Sequence, residues 1–470
     1  MENNNPCFEI GDSISGIGGN WVNRTGLQKM TFDCMESPVF LIQDQEKLRR
    51  KEEKEMKRHQ LSVASRNTVL VLGLTIILLM GIYGESLAAG EAPKTIKVGC
   101  SIALTGPFGI GGKWVKQGYD LAIKETNSDG GVYIEEFKKK IPLEILYVDS
   151  ESDSVKSTRR MDKLYSVDKV DVFLGGFSGN LIIPQLAVAE NYRTPIIVTT
   201  MVVKGPFEKG YKYVFTPFQS CMDQVIAFFD LLESVPKDQR PKKFVYFATQ
   251  DEAGTEKIEY FKEIAAKRNI EMAPIEMFSL AGMDFSSLII NAKRAGAEAL
   301  FTIPAPPQGV RLIKQMKEID WCPKFAFISR ASDDNSWSKN LGKDGDYVCF
   351  TGGWDHHLKL PGVEKFNEDY KKAYGDVPEV VAGTAYTCVQ ILADALGRAG
   401  TLEKDKVREA IAATNMMTIM GPMKFKPNGR GEGKYLQVVT QWQNGKKELV
   451  WPKDQASAPL AYPTPPWKER

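Results

Sequence analysis

Hydrolytic or metal-dependent chemistry needs a base or a set of donor atoms, and imidazole is scarce in this chain. Of three histidines, His59 lies near the start and His356 and His357 stand side by side. Adjacent residues on a strand or helix point to different sides, so the pair is expected to be exposed in a loop, with no metal site and no cofactor. Ser178 falls in Gly176-Phe177-Ser178-Gly179-Asn180, where Asn180 occupies the position that a Gly-x-Ser-x-Gly nucleophile turn reserves for glycine. Carboxylates are plentiful, but spacing singles out no acid and base pair. The glycine-bearing stretch Thr105 to Gly112 also fails as a phosphate loop. Counting back from Gly112-Lys113 puts Pro107 where the first glycine belongs, and Trp114 follows the lysine. Trp114 likewise stands where a dinucleotide fingerprint needs its third small residue. An enzyme is therefore not expected. Hydroxyls and backbone amides at loop positions can still hold a small molecule without transforming it. Ser178, Gly179, Asn180, Thr199 and Thr200 are the candidates, with helix capping a second role open to Ser178 and Asn180.

Such loops converge only if the elements beneath them bring their ends together. Ile96, Val98, Cys100 and Ile102 have the period of a strand, and Trp114, Val115, Tyr119, Leu121, Ala122 and Ile123 give helical spacing over Lys113 to Asn127. From Leu143 on, strands alternate with helices. Strands are predicted at 143–149, 170–175, 195–200 and 213–216, with helices at 155–167 and 181–191. A second set has strands at 243–248, 299–303, 324–329 and 347–353, and helices at 221–233, 255–266, 285–295 and 307–319. Further helices are predicted at 363–374 and 381–397, and strand-like segments at 421–425 and 436–443. Alternation of this kind specifies parallel sheets covered on both faces, with ligands beyond the carboxyl ends of the strands.

The chain has 470 residues, 43% hydrophobic and 26% charged, and 61 basic against 59 acidic side chains, enough for two domains and with no sign of a nucleic-acid surface. Residues 1–55 show no sustained period and are expected to be a doubtful or disordered leader. Residues 56–89 then read as a signal peptide: basic Met56-Lys57-Arg58-His59, an uncharged run of sixteen residues from Thr68 to Tyr83, and small Ser86-Leu87-Ala88-Ala89. Met56 is the expected true start. The alternative is a membrane anchor through 68–83, although a spanning helix wants about 20 apolar residues. Cys100, Cys221, Cys322, Cys349 and Cys388 are widely separated and odd in number, so most are expected to be small buried residues rather than a disulfide framework.

The stretch "SIALTGPFGIGGKWVKQGYDLAIKETNSDGGV" resembles the opening of the branched-chain amino acid type solute-binding proteins of bacterial ABC importers. Supporting segments lie far apart and in order: Val172-Phe173-Leu174-Gly175-Gly176, Met283-Asp284-Phe285-Ser286, Gly352-Gly353-Trp354 and Gly383-Thr384-Ala385-Tyr386. The resemblance spans about Thr95 to Trp451. It implies an α/β fold of the type I periplasmic binding protein class, two similar parallel-sheet lobes joined by three chain crossovers. Lobe 1 is expected at 94–216 and 350–416, lobe 2 at 217–349 and 417–451, and a surface tail at 452–470. It further implies a periplasmic receptor that closes its lobes over a small organic acid or amino acid and hands it to the importer's membrane subunits.

In amino-acid-binding members, hydroxyl-bearing loops after the third and fourth strands hold the ligand's α-carboxylate, and an acidic residue of the second lobe holds its α-ammonium. Ser178 keeps the first feature. The loop Thr199-Thr200-Met201-Val202-Val203 departs from the second, Ala253 stands where a tyrosine is expected, and Arg330 stands where the acid is expected. A guanidinium repels an ammonium and presents a planar fork to a carboxylate. The expected ligand is thus an organic acid without an α-ammonium, anchored by Arg330 unless that side chain pairs with Asp333 or Asp334. Phe108, Phe218 and Trp354 near the mouth suggest an aromatic body, and Tyr386 completes the expected site. Leucine-like amino acids are the alternative.

Overall fold

The computed structural model describes residues 49–51, 53–58 and 91–470. It forms two units, Met1–Ala88 and Ala89–Arg470. In the first, the described residues are helical and exposed, as a run of Lys and Glu favours, where the sequence pattern gave no period. The apolar segment at 68–83, read as a signal peptide, lies outside the described residues.

In the second unit, the alternating apolar residues of β1 (Ile96–Ile102) are buried in a five-stranded parallel sheet. Its partners are β2 (Leu143–Asp149), β3 (Val172–Leu174), β4 (Ile196–Ile197) and β5 (Val214–Phe215), in the order β2-β1-β3-β4-β5. Helices α1 (Gly109–Ser128), α2 (Ser154–Ser166) and α3 (Gly179–Asn191) connect the first four strands. α1 starts four residues before the expected Lys113, so Gly111 and Gly112 belong to its first turn rather than to a loop. A Cβ on Gly112 would lie 1.6 Å from the Ala103 carbonyl, and this close approach of helix to strand is what its glycine is for.

The second lobe carries an eight-stranded sheet of β6 (Lys243–Thr249), β7 (Glu271–Met272), β8 (Glu276–Phe278), β9 (Ala299–Thr302), β10 (Phe325–Ile328), β11 (Val348–Thr351), β12 (Val439–Gln443) and β13 (Lys446–Trp451). The order is β8-β6-β9-β10-β11-β12-β13 with β7 beside β6, parallel as far as β11 and antiparallel beyond it. Helices α4 (Cys221–Ser234), α5 (Glu252–Arg268), α6 (Ser286–Arg294) and α7 (Pro306–Glu318) cover it. Phe228 of α4 meets Phe229, Phe244, Phe261, Phe301 and Phe327 at centroid distances of 5.2–5.8 Å, mostly edge to face, a packing that rigidifies this lobe.

The chain then returns to lobe 1 through α8 (Val363–Tyr374), α9 (Val380–Ala399) and α10 (Lys404–Ala412). α9 is long and apolar enough to cross a membrane by composition, but it is buried against α1. A Cβ on Gly118 of α1 would lie 2.2 Å from the Ala382 carbonyl, so the two helices touch backbone to backbone.

Two expected boundaries are corrected. The last crossing was expected at 417, yet Ile419, Met420, Met423 and Phe425 are buried in the lobe 1 core, with Phe425 edge-on to Phe215 at 5.3 Å. The chain enters lobe 2 only at β12. The end at 452–470 is not a free tail either. Leu460 and Tyr462 pack on the phenylalanine core, Trp467 is buried, and the Trp467 indole donates to the Trp321 carbonyl at 3.2 Å. Prolines keep this segment extended, and its few aromatic residues anchor it.

Candidate functional site

The carboxyl ends of the lobe 1 strands carry the loops singled out by sequence. β3 is followed by Gly175 and Gly176, whose carbonyls accept from the Tyr119 hydroxyl at 2.7 Å and the Thr199 hydroxyl at 2.8 Å. This brace sets the position of Ser178, which holds φ 75° and ψ 123°, a backbone region that side-chain-bearing residues avoid. Its hydroxyl makes no capping bond, so the capping role is not the one it plays here. A Cβ at the next residue, Gly179, would meet nothing within 4 Å, and Asn180 is exposed, so the first turn of α3 opens to solvent. Strain at a loop with free amides is the local arrangement expected of a ligand clamp.

In the loop after β4, Thr199 is buried and its hydroxyl is committed to Gly176. Thr200 differs: its Oγ1 is buried with no hydrogen-bond partner among the described residues, a donor and acceptor left uncommitted. This loop is held from behind by Arg430, a residue that sequence reasoning missed. Its guanidinium donates to the carbonyls of Met201 at 3.3 Å, Val202 at 2.7 Å and Val203, and lies over the Phe207 ring. Nothing in Asn428-Gly429-Arg430-Gly431 signals that role, because the partners are backbone atoms more than two hundred residues away.

Arg330 lies in the loop after β10, with φ 64°. Burial pushes its pKa down, and Asp251 and Asp333 attract it without a hydrogen bond or an ion pair to it among the described residues. The expected alternative, a formed pair with Asp333 or Asp334, is absent. Asp334 instead takes the Ser336 amide at 2.7 Å. Burial, and then the neighbouring Glu379 carboxylate, pushes the Asp333 carboxyl up to about 8. The loop therefore presents a cation beside an acid that burial holds back from ionising. Behind it, Lys447 of β13 reaches the Asp333 carbonyl and pairs with Glu379 at 2.7 Å, both side chains being at most 7% exposed. Glu379 caps the Asn335 amide at 3.0 Å, so the Arg330 loop rests on a buried ion pair.

The two lobes meet beside these loops. The Lys204 amide donates to Glu256 of α5 at 2.8 Å, and the Cys221 amide donates to the Val202 carbonyl at 2.9 Å. Asp251, which attracts Arg330, is the N-cap of the same helix α5. The loop that carries Thr200 thus contacts the same helix whose N-cap attracts Arg330. The crossings are laced together at Thr351, whose hydroxyl approaches Gln219 Oε1 at 3.0 Å and the Val438 carbonyl at 2.7 Å.

Not every expected residue is found here. Trp354 is buried in the lobe 1 core, donating to the Ile419 carbonyl at 3.0 Å and lying edge-on to Phe366. Tyr386 is also buried, and its hydroxyl donates to Glu125 on the α1 side. Both were expected in the site, Trp354 at its mouth, and both lie in the core, because the long apolar α9 carries Tyr386 and packs against Trp354 at Gly383. Phe108 caps α1 half-buried, and Phe218 is buried next to the first crossing. His356 and His357, expected to be exposed and to point apart, are half-buried and turn their Nδ1 atoms to Asp355, at 3.8 and 2.9 Å.

Two lobes, each a largely parallel sheet covered by helices and carrying polar loops beyond its strands, have the architecture of the solute-binding proteins. Residues 95–447 match the family described as periplasmic binding protein, and the chain belongs to it. Its members bind solutes outside the cytoplasm and are not known by a reaction. The chain is 24% identical to "Leu/Ile/Val-binding protein homolog 7" of Brucella abortus over 404 residues, 82% of this chain and 99% of the relative. It superposes on a leucine-binding protein from Thermotoga maritima with TM-score 0.67, 19% identity and coverage of 76% of this chain and 97% of that one. A solute-binding protein of an ABC transporter from R. palustris, in complex with benzoate, gives TM-score 0.66, 18% identity and coverage of 78% and 97%.

Proposed function

We propose that this protein is the substrate-binding receptor of an ABC importer and that its ligand is a small organic acid lacking an α-ammonium group. The observation that carries this reading is Arg330: a desolvated guanidinium with no bonded partner, next to a carboxyl whose pKa is about 8. A carboxylate there recovers charge-assisted hydrogen bonds that the unliganded protein leaves unmade. Thr200 Oγ1 and the strained Ser178 turn supply the polar contacts of the facing lobe. The benzoate carried by one relative is a ligand of this chemical class, and Phe108 and Phe218 would flank an aromatic body.

The second reading, a branched-chain amino acid, is favoured by the names of other relatives. It needs an acid for the ammonium, and Asp251 is the candidate, but its Oδ1 already takes the Gly254 amide and the Thr249 hydroxyl, both at 2.7 Å. Capture proceeds by closure of the lobes about the three crossings, with the closed form presented to the membrane subunits. Export through the apolar segment at 68–83, with cleavage near Ala89, would place the mature chain in the periplasm. N-terminal sequencing of the native protein tests that step, and a chain that retains Met1 would contradict it. A thermal-shift screen of benzoate, aliphatic carboxylates and leucine, followed by small-angle scattering with the best ligand, tests the function. A stabilising carboxylate that compacts the protein is expected. Stabilisation by leucine alone, or binding without compaction, would overturn the ligand class or the closure respectively.

A further inference from the structure

The crossing between β11 and α8 carries a set of donor atoms that ligand capture leaves unused. Asp355, His356 and His357 each offer one ligand atom, and these atoms lie within 4.8 Å of one another. Asp355 Oδ1 is 2.9 Å from His357 Nδ1 and 3.8 Å from His356 Nδ1. Around a tetrahedral ion with bonds of about 2.0–2.1 Å, neighbouring ligand atoms stand roughly 3.3 Å apart, so the observed spacings bracket the required one. We propose that these three residues form a binding site for a divalent transition metal, with Zn2+ or Ni2+ as the fitting class. Two imidazole nitrogens and one carboxylate oxygen suit ions of borderline softness and disfavour Ca2+ and Mg2+, which select all-oxygen sites.

The surroundings are those of a built site. The carboxylate is 2% exposed, whereas the rings are 17% and 28% exposed, so an ion can reach the nitrogens from solvent while the anionic ligand stays fixed. Thr440 of β12 donates to Asp355 Oδ2 at 2.6 Å, while Oδ1, which faces both rings, also accepts the His357 amide at 2.8 Å and keeps a lone pair for an ion. Asn367 of α8 donates to the His356 carbonyl at 2.7 Å. The Thr440 contact orients the ligating carboxylate, and the Asn367 contact fixes the backbone that carries His356. Binding replaces the His357 Nδ1–H to Oδ1 hydrogen bond by two bonds to the metal: the Nδ1 proton is released to solvent, or moves to Nε2 if that nitrogen was bare, and the ligated neutral ring carries its proton on Nε2. One outer contact comes from a lobe 2 strand and the other from a lobe 1 helix, so an ion here ties the crossing to both lobes and stiffens the hinge.

The test is calorimetric titration of the full chain with Zn2+, wild type against His356→Gln. His356 Nδ1 is beyond hydrogen-bond distance of Asp355, so this variant removes a metal ligand and no contact to the carboxylate, and its melting temperature in EDTA should equal that of wild type. A single saturable site at micromolar Zn2+ in wild type, weakened at least about tenfold in the variant, is expected. Equal binding by the two proteins, or no micromolar site in wild type, overturns the proposal. X-ray absorption fine structure of the zinc-loaded wild type needs no variant. A first shell of nitrogen and oxygen with two imidazoles is expected, and a sulfur-dominated shell overturns the assignment.

Discussion

Replacing Arg330 by glutamine should move ligand affinity and folding stability in opposite directions. The guanidinium is largely desolvated and makes no hydrogen bond or ion pair among the described residues, although Asp251 and Asp333 stand near enough to attract it. Its desolvation cost is therefore already incurred before a ligand arrives, and an incoming carboxylate recovers it through two charge-assisted hydrogen bonds. Such bonds contribute about 1.5–3 kcal/mol each, and truncating one partner of a buried charge pair costs about 2–5 kcal/mol. A loss of about 3 kcal/mol corresponds to a Kd for benzoate raised by roughly 100-fold. The unliganded Arg330→Gln protein, relieved of an unpaired charge, should melt at the same temperature as wild type or slightly higher. Arg330→Lys should fall between the two, since an ammonium keeps the charge and loses the planar fork. Calorimetry gives the affinity and differential scanning calorimetry the stability. Benzoate binding within threefold of wild type would refute the role of Arg330. A destabilisation of more than about 2 kcal/mol would show that the guanidinium has a structural partner, contrary to the argument.

Asp333 sets a pH dependence. Its folded pKa of about 8 lies above its ordinary 3.8, so the folded chain retains a proton that the unfolded chain has released. The stability this group contributes is complete below about pH 4 and is lost as pH rises through about 8. Ionised Asp333 also competes for Arg330, so carboxylate affinity measured from pH 6 to 9.5 should fall through the same range, and Asp333→Asn should flatten that fall; an unchanged slope in the variant would contradict it. Ser178→Gly removes a side chain from φ 75° and should stabilise the protein by about 1 kcal/mol in denaturant titrations, while lost hydroxyl contact weakens ligand binding by several-fold. A less stable variant would mean the turn is not strained. Tyr386→Phe should cost about 1 kcal/mol of stability through its lost bond to Glu125 and leave Kd within twofold, and a larger affinity change would return Tyr386 to the site.

The parts of the fold that could be read in advance are those where one face alone is buried. α8 matches its expected bounds, because Val363, Phe366 and Tyr370 face inward and charged residues face out. β2 matches its expected bounds for a different reason, since its residues are mostly half-buried and its ends are set by Pro142 and Ser150. β13, with Lys446, Lys447 and Glu448 in its first half, hides its strand character because these charged residues of the last strand of the sheet show no apolar alternation. α10 buries only Val407, Ala410 and Ile411, too short a stripe to stand out. In the site, loops at strand ends were legible because topology places them. Which aromatic residues line the mouth was not, since Trp354 beside glycines reads the same whether it faces a ligand or the core. Asp333, Arg430 and the Asp355 cluster depend on contacts between distant segments, which periodicity cannot register.

The proposed ligand is a carboxylate without an ammonium, and a paired calorimetric titration of the full chain with leucine and with 4-methylpentanoate, its des-amino counterpart, separates the two chemistries. The two share a side chain and a carboxylate and differ only in the group that Arg330 would repel. Tighter binding of 4-methylpentanoate, by a factor lost in Arg330→Gln, is the predicted result. Tighter binding of leucine that persists in Arg330→Gln would contradict the account.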